Sequence, residues 1–214
     1  MELSAVVSFK RIGQYVMSVV LMLGIMEMSV FAYGYEDEYS YKKDASTGNL
    51  NIFWGTKTLE KDSWDPVETQ GDVGLALDFR KKDWSVNMAI EFFSSTGENS
   101  AWDPSLGLVD YTGATTEFNV GIKKIWEDSG NMRPFIGVGI SSVTATFAGA
   151  GSFGTISDSS GAVGTWLSGG VFWTFNKSFN MGFEFKASTA TVTLYGIGGD
   201  AGGEHIGLFF GFHW

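Results

Sequence analysis

The chain has no cysteine. That excludes a disulfide framework, a thiolate nucleophile, a cysteine metal site and the acylated cysteine of a lipoprotein anchor. Proline is scarce, at 3 of 214 residues, and histidine scarcer, at 2. Cations are in the minority: 14 Lys and Arg stand against 24 Asp and Glu, for a net charge of −10. This acidic balance excludes nucleic acid as a partner, because nucleic acid demands a basic face. The apolar run Val16 to Met26 is too short to span a bilayer as a helix, which takes about 20 residues.

Glycine and aromatics are abundant instead. Glycine numbers 29, Phe 18 and Trp 8, yet the mean hydropathy is only +0.05. Apolar residues are therefore interleaved with polar ones rather than gathered into one core. Glycine serves where strands bend or pack closely, and aromatics populate membrane interfaces.

The first segment reads as an address. Lys10 and Arg11 precede the apolar run, and Val30-Phe31-Ala32 places small residues at the −3 and −1 positions of a signal-peptidase site. Residues 1–32 are expected to be a cleaved signal peptide, with export across the inner membrane. The net charge stays at −10 without it, because Lys10 and Arg11 are offset by Glu2 and Glu27. Residues 33–48, polar and tyrosine-rich, are expected to form a short periplasmic lead-in to a domain spanning 49–214.

From Asn49 onward the apolar pattern has period two. Val73, Leu75, Leu77 and Phe79 alternate with Asp72, Gly74, Ala76 and Asp78. After the charged turn Arg80-Lys81-Lys82-Asp83, Trp84, Val86, Met88, Ile90 and Phe92 alternate with Ser85, Asn87, Ala89 and Glu91. The same alternation recurs around Leu50–Trp54, Glu117–Trp126, Phe135–Ser141, Leu167–Phe175, Met181–Lys186 and His205–Trp214, which predicts eight strands. The connections alternate too. Short turns follow Phe79, Trp126 and Phe175. Long loops are expected over roughly 58–70, 95–113, 147–161 and 191–203. Short turns on one side and long loops on the other mark an outer-membrane barrel.

In hydrocarbon an open sheet edge leaves backbone groups unpaired, so the sheet must close. The expected fold is all-β: an eight-stranded antiparallel transmembrane β-barrel, apolar outside and polar inside. A soluble lipocalin-like barrel would invert these faces. Trp84, Trp126, Trp173 and Trp214 argue against it, because all fall on the apolar parity at the turn-side end of a strand. An interfacial aromatic girdle explains such a ring.

The last strand carries a further signal. His205, Gly207, Phe210 and Phe212 fit the spacing of the assembly signal read by the barrel-assembly machinery, one dyad before the terminal Trp214. With the export signal, the chain resembles the small eight-stranded outer-membrane barrels of the OmpA, OmpX and OmpW type, without a peptidoglycan-binding domain. The resemblance implies residence in the bacterial outer membrane and contact with its lipid and lipopolysaccharide. It implies periplasmic chaperones and the assembly machinery as partners in biogenesis.

An eight-stranded barrel is only wide enough to be filled by side chains. Asn87, Glu91, Glu117, Asn119, Lys123, Arg133, Glu184 and Lys186 are expected inside as a salt-bridged plug, because buried charges must be paired. His205 and His213 lack the His-x-Ser spacing of lipid A deacylases, so no catalytic residue is assigned, and no cofactor or metal site. Trp64-Asp65-Pro66 and Trp102-Asp103-Pro104 recur in two long loops. They are expected either as simple Asp-Pro turns or as exposed tryptophans for a surface ligand. In the second case Asp62, Asp65, Glu68, Asp103 and Asp110 help hold divalent cations between lipopolysaccharide phosphates. The Gly/Ser-rich loop 147–161 is expected to be mobile. A non-enzymatic structural or surface-interaction role follows first. A narrow channel for small or apolar solutes, which an OmpW-type resemblance implies, comes second, and a lipid A-modifying enzyme third.

Overall fold

The computed structural model describes residues 46–127, 131–176 and 178–214. The expected signal peptide and most of the lead-in lie outside the described residues. Eight long strands form a closed antiparallel barrel. These are β1 (Ser46–Thr58), β2 (Thr69–Lys81), β3 (Asn87–Asp103), β4 (Gly107–Ile125), β5 (Met132–Gly151), β6 (Gly154–Phe175), β7 (Phe179–Thr189) and β10 (Gly203–His213). A short hairpin, β8 (Thr191–Leu194) and β9 (Ile197–Asp200), interrupts the run before the last strand. One short helix, α1 (Lys61–Trp64), lies between β1 and β2.

Each strand pairs with its neighbour in the chain, apart from the β8–β9 detour. Closure comes from β1 against β10, in register from Asn49↔His213 to Thr58↔Glu204. The backbone N–H of Gly48 and of Trp214 each donates to the other's carbonyl at 3.1 Å, which seals the seam at the short-turn end. No row of unpaired amides faces hydrocarbon along that seam, as a membrane-spanning sheet requires.

Period two sorts the side chains as pleating dictates. Ile206, Leu208, Phe210 and Phe212 are exposed on the outside of β10, while His205 and Phe209 are buried inside. Met88 and Ile90 on β3, and Phe118, Val120 and Ile122 on β4, continue the outer belt. In lipid this exposed apolar surface costs nothing to display. In water it would be a far larger patch than a soluble monomer tolerates.

Two differences from expectation concern the long-loop end. Residues 95–113 and 147–161 are largely not loops. The β3–β4 ladder runs on to Asp103↔Gly107, and the β5–β6 ladder to Gly151↔Gly154. The β4–β5 ladder joins them up to Asp110↔Ala150. By contrast β2–β3 pairing ends at Gly71↔Thr96 and β6–β7 pairing at Thr165↔Thr189. Strands β3 to β6 therefore rise as a four-stranded wall above the mouth. Gly and Ser in 147–161 masked that ladder, because their low strand propensity outweighs a period-two pattern of small residues. At the other end, β1 begins at Ser46, ahead of the expected Asn49, and Trp84 sits in the β2–β3 turn rather than in β3.

Candidate functional site

The barrel interior is filled in layers. Nearest the short turns lies a neutral hydrogen-bond ring around one acid. Asn49 and Asn87 donate their amide N–H groups to Asp78 Oδ1 at 2.7 and 2.5 Å. Asn180 donates to Asn49 Oδ1 at 2.7 Å, and Thr174 donates to Asn180 at 2.9 Å. Next comes an apolar floor. Phe135, Phe172 and Phe209 form a triangle with ring centroids 6.0–6.1 Å apart, joined by Ile125. A cavity of about 10 Å³, room for one water, lies between this floor and the charges above it.

Those charges form two balanced groups. Lys123 Nζ lies 2.5 Å from Glu91 Oε1 and 3.4 Å from Glu184 Oε1, and Lys186 pairs with Glu91 Oε2. The ammonium of Lys186 also sits 4.1 Å from the Phe93 ring centroid and 4.6 Å from that of Trp166, so cation–π attraction adds to the pairing. Trp166 is wholly inside, on a seat without side chains. A Cβ at Gly121 would come within 2.2 Å of the Val138 carbonyl and 2.6 Å of the indole. Gly137 and Gly139 are similarly covered.

The upper group is built on His205. Its Nδ1 is 2.7 Å from Asp72 Oδ2, and its Nε2 is 3.2 Å from Glu117 Oε1. Two carboxylates facing both ring nitrogens suit an imidazolium, the form in which both nitrogens donate. Ser95 donates to Asp72, and Ser188 to Glu117. Lys57 Nζ donates to Glu117 at 2.6 Å, to Thr115 at 2.8 Å and to the carbonyl of Ala201 at 3.0 Å. The last bond reaches out of the barrel wall into the segment joining β9 to β10.

Above the charges lies an apolar cap made by the connections themselves. Leu59, Trp64 and Val67 from the β1–β2 connection pack with Val143 and Ala145 of β5 and with Ala190, Val192 and Ala201 around the β8–β9 hairpin. Trp64 is 1% exposed, and its indole N–H donates to the carbonyl of Asp200 at 2.8 Å. Tyr195 ties the hairpin to the wall, its hydroxyl donating to Phe147 O at 3.2 Å and its backbone N–H to Asp158 Oδ2 at 2.6 Å.

The expected interior residues Asn87, Glu91, Glu117, Asn119, Lys123, Glu184 and Lys186 are all buried in the lumen. Arg133 is not among them. It lies at the short-turn rim, 3.8 Å from Glu127, because its strand has only just begun there. Lys57, Asp72, Asp78 and His205 belong to the interior and were not in the expected set. All four share the inward parity of their strands, which was the available signal.

Trp64 and Trp102 are not a matched pair. Trp64 is the cap's centre, whereas Trp102 is 74% exposed on the outer face of the wall, opposite the equally outward Leu108. Asp103 Oδ1 accepts the backbone N–H groups of Ser105 and Leu106 at 2.7 and 3.0 Å, so its role is a turn. Asp65 is exposed and precedes a cis proline. Trp84, Trp126, Trp173 and Trp214 are all exposed at the short-turn end. On the assembly-signal strand Gly207 faces inward, with Phe210, Phe212 and Trp214 outward. Among the described residues no trio of His, Asp and Glu is disposed to hold a metal ion.

No family model matches the chain, and no curated protein does. Solved structures match it well in shape. The Yersinia pestis attachment invasion locus protein Ail, in complex with sucrose octasulfate, shares 12% identity at a TM-score of 0.55. The match covers 79% of this chain and 99% of that one. Neisserial surface protein A shares 9% identity at a TM-score of 0.50, covering 78% of this chain and 96% of that one. At such identities the likeness carries the fold alone. With its closed ring, its lipid-facing belt and its filled lumen, the chain has the fold of the small eight-stranded outer-membrane β-barrels.

Proposed function

We propose that this is a non-enzymatic protein of the bacterial outer membrane that acts through the surface at its long-loop end. The short turns then face the periplasm and the wall of β3 to β6 faces outward, as is general for such barrels. One observation supports the reading above others: the axis of the barrel is occupied at every level. The phenylalanine triangle, the two ion-paired groups and the Trp64 cap lie in series. A conduit would have to break paired, desolvated charges, and leaving one such charge unpaired costs about 3–5 kcal/mol. His205 lies beneath the cap, between two carboxylates and wholly buried. It has no face to offer a substrate.

The outward surface is acidic. Glu60, Asp62, Asp65, Glu98 and Asp110 are exposed there. Lipopolysaccharide phosphates would meet this surface through divalent cations rather than directly. The test of the reading is conductance in a planar bilayer, with folding checked by the gel shift on boiling. A folded and electrically silent protein is expected. Discrete, reproducible channels would replace this reading with that of a narrow conduit.

A further inference from the structure

Among the described residues the two ends of the barrel carry opposite charge. The acids at the long-loop end have only Lys61 beside them as an exposed cation among the described residues of the β1–β2 connection. At the short-turn end Lys81 and Lys82 are exposed in and beside the β2–β3 turn, with Asp83 as the acid among them. Lys124 stands on the outward parity of β4, and its Nζ donates to the carbonyl of Ser85 at 2.8 Å. That bond holds Lys124 against the turn that carries Lys81 and Lys82. Trp84 and Trp126 are exposed in the same sector, and Trp84 N–H donates to Lys81 O at 3.0 Å within the turn.

Among the described residues the rim behind does not neutralise these charges. Arg80 and Arg133 share a single oxygen of Glu127, at 2.6 and 3.8 Å, so one carboxylate answers two guanidiniums. The apolar belt begins immediately inward, at Phe79 on β2, Met88 on β3 and Ile122 on β4. Cations one step beyond such a belt, at the depth of exposed indoles, lie where phospholipid phosphates lie.

We propose that Lys81, Lys82 and Lys124, with Trp84 and Trp126, form a docking surface for the headgroups of net-anionic phospholipids in the leaflet bordering the short turns. The ammonium groups meet phosphate oxygens as point charges, and the indoles hold the glycerol depth. A net-anionic lipid is favoured over a zwitterionic one because the latter brings its own cation to a surface already in cation excess. The proposal rests on the barrel crossing the bilayer. It is independent of what the opposite surface binds.

The test is native mass spectrometry of the chain refolded in neutral detergent, with phosphatidylglycerol and phosphatidylcholine offered at equal concentration. A preference for phosphatidylglycerol on the order of fivefold is expected. It should fall to near parity in the triple variant Lys81→Gln, Lys82→Gln, Lys124→Gln, whose gel shift should match the parent's. The variant Glu60→Gln, Asp62→Gln at the opposite end should keep the preference. Equal retention of the two lipids by the parent chain, or a preference that survives in the triple variant, would overturn the proposal. Inorganic phosphate should leave the bound lipid in place. Displacement by phosphate alone would show a free-anion site instead.

Discussion

The charged lumen and the apolar cap both close the barrel, but they are built in opposite ways. In the lumen every side chain hangs from a ladder strand at a fixed parity, and cations and acids from six strands meet across the axis. Glu91 of β3 holds Lys123 of β4 and Lys186 of β7. In the cap the chain leaves the ladder, and Trp64 is held by a carbonyl from a segment more than a hundred residues away, that of Asp200. The lumen depends on charge pairing that is costly to break one partner at a time. The cap depends on dispersion and buried area, which yields locally. One region should therefore fail with the whole barrel, and the other should open alone.

The largest effect expected is on the lumen. Glu91→Leu strands the buried ammonium of Lys186 and leaves Lys123 only its longer pairing with Glu184, and should lower stability by about 3–5 kcal/mol, read as a shift of the urea midpoint of the lipid-embedded protein. A loss below about 1 kcal/mol would show that the pairing does not hold the lumen. Trp64→Ala removes a comparably buried side chain, at about 3 kcal/mol locally. Here the gel shift should persist while protease begins to cut the β1–β2 connection. Unfolding of the entire barrel would erase the distinction between the two regions.

Lys57 joins them, binding Glu117 below and Ala201 O above. Lys57→Met should therefore raise amide exchange in the β8–β9 hairpin by about tenfold, which corresponds to one lost hydrogen bond to a charged group. No change there would mean that cap and lumen are independent. The smallest effect belongs to Trp102→Ala. The side chain is exposed and packs on nothing buried, so stability should move by less than about 0.5 kcal/mol. A larger loss would reveal a structural role for the wall's outer face.

The difference between the regions also explains what could be read from the sequence. Strand number, antiparallel order and the inward set on β3, β4 and β7 follow from a period of two, which needs no tertiary information. Asn87, Glu91, Glu117, Asn119, Lys123, Glu184 and Lys186 were legible for that reason. Arg133 was misread because parity does not say how far along its strand a residue lies, and the rim is wet. Lys57 and His205 carried the right parity, but their pairing joins β1, β2, β4 and β10, and no local pattern encodes that meeting. Trp64 was beyond reach altogether. Its Asp-Pro context is shared with Trp102, and only the fold of the β8–β9 hairpin decides that one indole is covered and the other bare. The phenylalanine floor was hidden for another reason: Phe135, Phe172 and Phe209 occupy the parity that a polar lumen assigns to hydrophilic residues.

The absence of cysteine makes the central claim directly measurable. Single cysteines at Ser168, in the lumen, and at Glu98, on the exposed wall, can be challenged with a membrane-impermeant maleimide on the folded, lipid-embedded protein. A closed lumen predicts rapid labelling of Glu98→Cys and none of Ser168→Cys until the barrel is unfolded. Labelling of both at comparable rates in the folded state would contradict it, and would mean that the cap and floor admit solvent to the axis.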